Sequence, residues 1–418
     1  MQLKVLVLND FASINGGSDA AAIASTAALH GAGVDVAFFG GAGVPDKCLE
    51  GIPTTAPQLP DVHGAGAALR QLSVGLWHRG AESAVRSFLR KHAEPGRTVV
   101  HLQNFTKVLS PSVLAVVKST GLPAVVTAHD YFSFCPNGNY FNYSKATPCR
   151  LEPLSLRCCL SGCDSIGGWV KSVRLARAGI MKATQTYGAC FEATIAVSKL
   201  SAEILRGFAP RASVHVVRYL LPKPEFTPPS QDGGLVYVGR LTRSKGVVAL
   251  ARASKTARVR ITFVGDGEAK NEVLAENPDA IVTGWMASEV VRKHILGSKA
   301  LVLPSLWYET FGLTVAEGLA LGRPVIVSER AGSSELVSDE VNGLVWRGAS
   351  EEHLVSCLRR LNDKAVARTM SEAAARIYLS QWLPPQNHAE QLLEVYRGVV
   401  NTKKGSIEQR KLEAAAGR

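Results

Sequence analysis

At 418 residues the chain is too long for one ordinary core, so two domains are expected. Apolar residues are 46% and charged ones 20%, a globular composition, and no stretch approaches the roughly 20 uninterrupted apolar residues of a membrane span. The formal net charge of +12 calls for an anionic partner. No nucleic-acid motif accompanies that charge, and aromatic residues are not interleaved with the basic ones, so nucleic acid is not expected as the partner.

The first residues, Met1–Asp10, form too short an apolar run for a signal peptide and are expected to be a buried strand of a cytoplasmic protein. Lys4–Leu8 is that strand, followed by a polar glycine loop, Ser13–Ser18, and a helix of small residues, Asp19–His30. Val34–Phe39, Thr98–Leu102 and Ala124–Ala128 continue as short apolar runs separated by helical segments. Such alternation predicts a parallel sheet covered by helices on both faces.

Between Leu221 and Ser230 four prolines interrupt the chain, which excludes a helix or a central strand there and marks a linker. The grammar then restarts with Gly234–Val238, Val259–Val264, Ile281–Thr283, Ala300–Pro304 and Pro324–Ser328. The domains are therefore taken as 1–220 and 221–382. An amphipathic helix over 383–400 is expected to cross back to the first domain after a bend at Trp382, Pro384 and Pro385, and 401–418 is expected to be a disordered tail. Two doubly wound domains leave a cleft at the carboxyl ends of their strands, where such sheets bind ligands.

Residues 300–346 carry the strongest signal. A strand ends at Pro304, a loop carries Glu309, Gly312 opens a helix, and Glu317 lies one to two turns along it. Free N–H groups around Phe311, Gly312 and Leu313 favour phosphate or other electron-rich oxygens. A carboxylate accepts two hydrogen bonds and so suits a vicinal diol. Two carboxylates flanking an anion-accepting helix start suit a ligand with hydroxyls at both ends and phosphate in the middle, a nucleotide sugar.

With its Phe-Gly after the first Glu, Ala-x-Glu-Gly-x-Ala on the helix and Gly-x-Pro-Val-Ile beyond, the segment resembles the Glu-x7-Glu signature of glycosyltransferase family 4. Val238–Gly246, with Arg240 and Lys245, resembles the same family and suits donor diphosphate, Arg240 gripping it bidentately and Lys245 adding a compact charge. Backbone around Gly284 and Trp285 touches the base in relatives, and Gly16-Gly17 matches a first-domain glycine loop whose N–H groups approach phosphate or acceptor. His129, at the end of Ala124–Ala128, corresponds to a histidine lying over the donor sugar. The resemblance implies a GT-B fold of two Rossmann-like domains and a retaining transferase. It would move sugar from a UDP- or GDP-linked donor to a glycan or lipid-linked acceptor in surface polysaccharide or glycoconjugate synthesis. No cofactor is required for the chemistry. Glu309, His129, Arg240 and Lys245 are the expected catalytic residues, and Glu317 the ribose ligand. A nucleotide-sugar epimerase, a phosphorylase and a non-catalytic assembly partner stay open as alternatives.

Five of the eight cysteines fall between Cys135 and Cys163. Cys135-Pro136-Asn137-Gly138 with its later cysteines resembles a bacterial surface-polysaccharide subgroup. Cys135, Cys149, Cys158 and Cys163 could hold a structural zinc, with buried free thiols or a redox pair as the other readings. Cys48, Cys190 and Cys357 are expected to be core thiols. Trp169–Lys182 spaces Lys171, Arg174, Arg177 and Lys182 along one side of a helix. That helix could lie on the anionic inner face of a membrane or cover the core as an ordinary surface helix. One departure from the family lies at Val216–Leu221, which lacks the usual Asn-Gly or Asn-Pro turn and leaves the interdomain joint and acceptor side undefined.

Overall fold

The computed structural model describes residues 2–61, 72, 74–165, 167–183, 190–208, 213–230 and 232–416, the last thirteen by backbone alone. In the first half β1 (Lys4–Phe11), β2 (Asp35–Ala42), β3 (Thr54–Thr55), β4 (Thr98–Leu102) and β5 (Ala124–Ala128) are followed by a two-strand hairpin, β6 (Phe141–Asn142) and β7 (Thr147–Pro148). Then come β8 (Ala193–Ala196) and β9 (Val214–Val216). The second half holds β10 (Leu235–Val238), β11 (Ile261–Val264), β12 (Ile281–Val282), β13 (Ala300–Leu303), β14 (Val325–Ser328) and β15 (Gly343–Trp346).

The main sheets run β3-β2-β1-β4-β5-β8-β9 and β12-β11-β10-β13-β14-β15, with parallel pairing throughout. Valine, isoleucine and leucine dominate these strands because helices cover both faces and leave no polar side. Each sheet grows outward in both directions from its first strand. The order therefore reverses between β1 and β4 and between β10 and β13, and the loops leaving those four strands diverge to open a crevice. The expected α/β architecture of two doubly wound sheets is what the chain adopts.

The linker from Leu221 to Ser230 has no regular secondary structure. The fully buried Arg323 secures it, its guanidinium donating to the carbonyls of Thr227, Leu296 at 2.9 Å and Leu321 at 3.1 Å. The helix Lys364–Gln381 ends at Trp382, whose indole donates to Leu221 O at 3.1 Å, and Tyr378 donates to Pro222 O at 2.8 Å. The two passages between the halves are thus tied together side by side.

Beyond the prolines a helix spans Pro385–Ala416. Leu392, Val395, Tyr396, Val399 and Val400 are buried in one cluster with Val5, Val7, Val99 and Val125 of the first sheet. His388 meets Ser25 Oγ at 2.9 Å through Nε2. The helix continues to Ala416, through most of the 401–418 segment expected to be a disordered tail. Its later part is rich in Glu, Gln, Lys, Leu and Ala, good helix formers that extend a helix already nucleated by packing. Among the described residues no helix is long and apolar enough to cross a membrane.

Candidate functional site

The second half supplies a loop and a helix start. After β13 the backbone from Ser305 to Gly312 is pinned from behind by the loop that follows β14. Glu309 N donates to Arg330 O at 2.8 Å, Gly332 N to Glu309 O at 2.9 Å and Ser333 N to Phe311 O at 2.8 Å. Gly312 takes a left-handed conformation, φ 101°, and a Cβ there would lie 2.6 Å from Leu303 Cδ2. Only glycine allows so abrupt a turn into the helix Leu313–Ala320 against that strand.

Glu309 is 6% exposed, and its carboxylate is held on both oxygens. Lys245 pairs with Oε1 and Ser305 donates to Oε2. Lys245 Nζ also lies 5.5 Å from the centre of the Trp307 ring. Lys245 gets there because Gly246, at φ 74°, ends a tight turn packed on Pro304 O. Glu317 makes no side-chain hydrogen bond among the described residues, and burial pushes its carboxyl upward. Arg240 is exposed at the end of β10, its own carbonyl held by the Tyr237 hydroxyl at 2.8 Å.

The first half meets this site at the start of its first helix and at the end of β5. Gly16 caps the helix Gly17–Gly31, and a Cβ on Gly17 would lie 3.4 Å from Leu313 Cδ1. Two helix N-termini therefore converge across the cleft. At the end of β5 the His129 carbonyl accepts from Thr310 Oγ1 at 2.9 Å, and Ser198 Oγ donates to Thr310 O at 2.7 Å. The His129 ring is also fully engaged, Nε2 with Gln103 Oε1 at 2.7 Å and Nδ1 with Tyr219 Oη at 2.8 Å. Burial lowers its pKa to about 3, so the ring is neutral.

The structure thus brings Gly16, Gly17, His129, Lys245, Glu309, Phe311, Gly312 and Leu313 to one cleft. Gly284 and Trp285 stand at the end of β12, where Gly284 bridges to Gly265 and the Trp285 side chain is 71% exposed. No contact joins them to Glu309 among the described residues. Sequence reasoning missed Tyr219, Thr310, Ser305 and Ser198, none of which carries a local motif. It also missed a bridge by the cysteine-bearing segment. Tyr131, Cys135 and Phe141 bury against Trp307, and Tyr143 donates to Ser244 Oγ at 3.3 Å, walling the cleft from the first half.

Cys135, Cys149, Cys158 and Cys163 do line one small cavity, together with Leu151, Pro153 and Lys171. Among the described residues no group of three or more His, Cys, Asp or Glu is arranged to hold a metal. Cys135 Sγ instead donates to Asn137 Oδ1 at 3.2 Å. Burial pushes its thiol to about 12 and raises those of Cys149 and Cys158. Cys48 is exposed, not a core thiol, while Cys190 and Cys357 are buried.

The cation stripe of the helix Gly168–Ala183 faces mostly inward. Lys171 is buried and donates to Cys158 O at 2.7 Å, Arg174 pairs with Asp164 at 2.7 Å, and Arg177 stacks on Phe132 at 4.7 Å. Those three charges are used within the protein. Of the four cations Lys182 is exposed, and of the apolar residues Met181 is buried while Trp169 is 66% exposed.

Residues 232–364 match the family described as Glycosyl transferases group 1. A GDP-mannose-dependent alpha-mannosyltransferase of Corynebacterium glutamicum is 34% identical over 109 residues, covering 26% of this chain and 26% of that protein. The chain spans about a third of the length of the first curated relatives it matches. Sucrose-phosphate synthase from Thermosynechococcus elongatus superposes with a TM-score of 0.69 at 17% identity, over 96% of this chain and all of that one. Anabaena HepE in complex with UDP and glucose does so with a TM-score of 0.63 at 16% identity, over 95% of this chain and all of that one. The fold is therefore GT-B, and the segment carrying Arg240, Lys245, Glu309 and Glu317 is of the group 1 glycosyltransferase type.

Proposed function

We propose that this chain is a retaining glycosyltransferase that moves a sugar from a nucleotide-diphosphate donor to a glycan or lipid-linked acceptor at the cytoplasmic side of surface-polysaccharide or glycoconjugate synthesis. The observation that carries this reading is the convergence of the helix starts at Gly17 and Leu313 beside the Lys245–Glu309 pair. It offers N–H groups, a cation and an acceptor carboxylate to one ligand. The UDP and glucose named for the HepE structure, and the GDP-mannose named for the Corynebacterium enzyme, support a nucleotide-sugar donor.

In this reading residues 1–220 bind acceptor, 221–382 bind donor, and 383–400 return to the first domain. The diphosphate lies at the start of the helix Leu313–Ala320, where Arg240, Lys245 and the free N–H groups offset the charge that builds as the sugar departs. Glu309 orients sugar hydroxyls. Glu317, half-buried and without a side-chain hydrogen bond among the described residues, accepts the ribose hydroxyls, while backbone at Gly284 and Trp285 meets the base. His129 lies over the sugar. The acceptor hydroxyl attacks from the face the leaving phosphate departs, and that phosphate takes its proton. The protein supplies position and charge neutralisation.

Melting shifts against UDP-, GDP- and ADP-sugars test the donor, since a ligand bound to the native state raises its stability by mass action. A selective shift for one nucleotide sugar, lost in Glu317→Gln, is expected. Product analysis with acceptor then reads the anomeric configuration, and an inverted product or an epimerised donor would overturn the reading.

A further inference from the structure

The joint between the halves carries a residue with unusual reach. Tyr219 lies in Val216–Leu221, where the sequence lacks the turn common to its relatives. Its ring stacks on His129 with centroids 5.6 Å apart and planes 14° from parallel. Its edge meets Phe311 at 5.3 Å and 73°, directly beside Glu309 and Gly312. Its hydroxyl oxygen is 2.8 Å from His129 Nδ1. One side chain just before the linker thus touches the histidine of the first half and the helix-start loop of the second.

The hydrogen bonds fix the direction of each proton. Gln103 Oε1, 2.7 Å from His129 Nε2, can only accept, so Nε2 carries the hydrogen. The opposite end of the Gln103 amide lies over the His101 ring, 3.3 Å from Nε2 and 3.4 Å from Nδ1, whose in-plane partners are Thr127 and Tyr396. With Nε2 protonated on a neutral ring, Nδ1 has a bare lone pair that accepts from the Tyr219 hydroxyl, whose oxygen also bonds with the Thr310 side chain. Burial raises the Tyr219 pKa, so the phenol keeps its proton. The same arrangement holds the imidazole neutral, because a donor to Nδ1 stabilises the unprotonated ring.

We propose that Tyr219 is a positioning residue for His129, fixing its Nε2–H tautomer, its neutrality and its plane, and linking that placement to the loop at Phe311 through edge contact. The proposal rests on the glycosyltransferase reading for its kinetic consequence, since His129 acts there on the donor sugar. It does not need that reading for the state of the ring.

Tyr219→Phe keeps both ring contacts and removes only the hydroxyl. In the purified full chain, nitrogen-15 spectra of labelled histidine, with His129 assigned through His129→Gln, read the ring directly. Wild type should show a hydrogen-bonded Nδ1 and no protonation down to pH 5. In Tyr219→Phe the Nδ1 signal should move to the position of a nitrogen without a donor. For turnover, kcat should fall on the order of tenfold, the scale of one lost hydrogen bond, with donor KM unchanged. The acid limb of kcat should move up by as much as about one pH unit. In a His129→Gln background, Tyr219→Phe should add no further loss, whereas a merely structural tyrosine would add its full effect. An unchanged Nδ1 signal, or losses that multiply in the double variant, would overturn the proposal. If wild type transfers no sugar from any donor while the Nδ1 signal still moves, the glycosyltransferase reading fails and the tautomer assignment stands.

Discussion

Lys245 and Glu309, 64 residues apart, form an ion pair at the mouth of the second sheet, with Ser305 donating to the other carboxylate oxygen. Side-chain exposure is 17% for the lysine and 8% for the glutamate. In the absence of a ligand each neutralises the other. A donor entering the cleft has to share Lys245 through its phosphate and Glu309 through its hydroxyls, so binding trades one set of charge-assisted bonds for another.

Removing one partner leaves the other poorly solvated. Lys245→Met should lower unfolding free energy by about 3 kcal/mol, the lower end for breaking a buried pair, because Lys245 retains some solvent. The double variant Lys245→Met, Glu309→Gln should regain most of that loss, since no uncompensated charge remains. Transfer activity should stay depressed on the order of 10²–10³-fold in both, the scale of one lost charge-stabilising group. Urea denaturation beside initial rates checks this, and equal stability in the single and double variants would mean that the pair does not form in solution.

His388 and Ser25 Oγ, 2.9 Å apart, join the crossing helix to the helix Gly17–Gly31. Burial lowers the His388 pKa to about 4, against about 6.5 unfolded. A depressed folded pKa contributes stability that is complete above the unfolded value and lost as pH falls toward the folded one. Between pH 6.5 and 4 the unfolded chain takes up a proton that the native chain refuses. His388→Gln removes that term. The stability of wild type relative to the variant should therefore decline on acidification by up to about 1.4 kcal/mol per pH unit. Denaturation midpoints at pH 7, 6 and 5 supply the test, and a constant difference would show that His388 is not held neutral.

The crossing helix should be needed for the first half to stay folded. Ending the chain after Leu383 would uncover the strand residues that Leu392, Val395, Tyr396 and Val399 bury, each side chain worth about 1.5–3 kcal/mol. The shortened protein should aggregate or lose cooperative melting. An end after Asn401 looks harmless from sequence, yet it removes Lys403, which donates to Leu122 O at 2.9 Å and pairs with Glu192. That cut should lower the melting temperature slightly, and a cut after Lys404 should not. Indistinguishable melting of the two shorter chains would deny the Lys403 contact.

What the sequence disclosed and what it hid divide along physical lines. Long apolar runs such as Lys4–Leu8 and Ala300–Pro304 disclose buried parallel strands because both faces are apolar. The strands β3 and β9, two and three residues long, are too short to show a period. The place of Glu309 just before a helix start was legible because loop and helix adjoin in the chain. Tyr219 and Thr310 were not, because they meet His129 across 90 and 181 residues, and only the fold determines such contacts. The stripe of Lys171, Arg174 and Arg177 was visible as a period. Its direction was not, because Asp164 and Phe132, which turn two of the cations inward, lie outside that helix.

Two glycines in the site separate folding from ligand contact. At Gly246, φ is 74° and a Cβ would lie 1.9 Å from Pro304 O, so alanine clashes with backbone that has no room to move. Gly246→Ala should be strongly destabilised, and its loss of activity would reveal nothing about ligands. Gly16 differs on both counts. Its φ of 177° is extended backbone open to any residue, and a Cβ there meets nothing within 4 Å. Gly16→Ala should therefore melt within about 0.5 kcal/mol of wild type, as a substitution without a structural conflict does. If the N–H groups at the start of the helix Gly17–Gly31 receive the ligand at close range, the added methyl takes space the ligand needs. Turnover should then fall at least tenfold while the protein remains fully folded. Measuring donor KM and acceptor KM separately shows which ligand the loop receives. Wild-type kinetics for both in a folded Gly16→Ala protein would remove the glycine loop from the site, and leave the helix start at Gly312 as the anion-binding element.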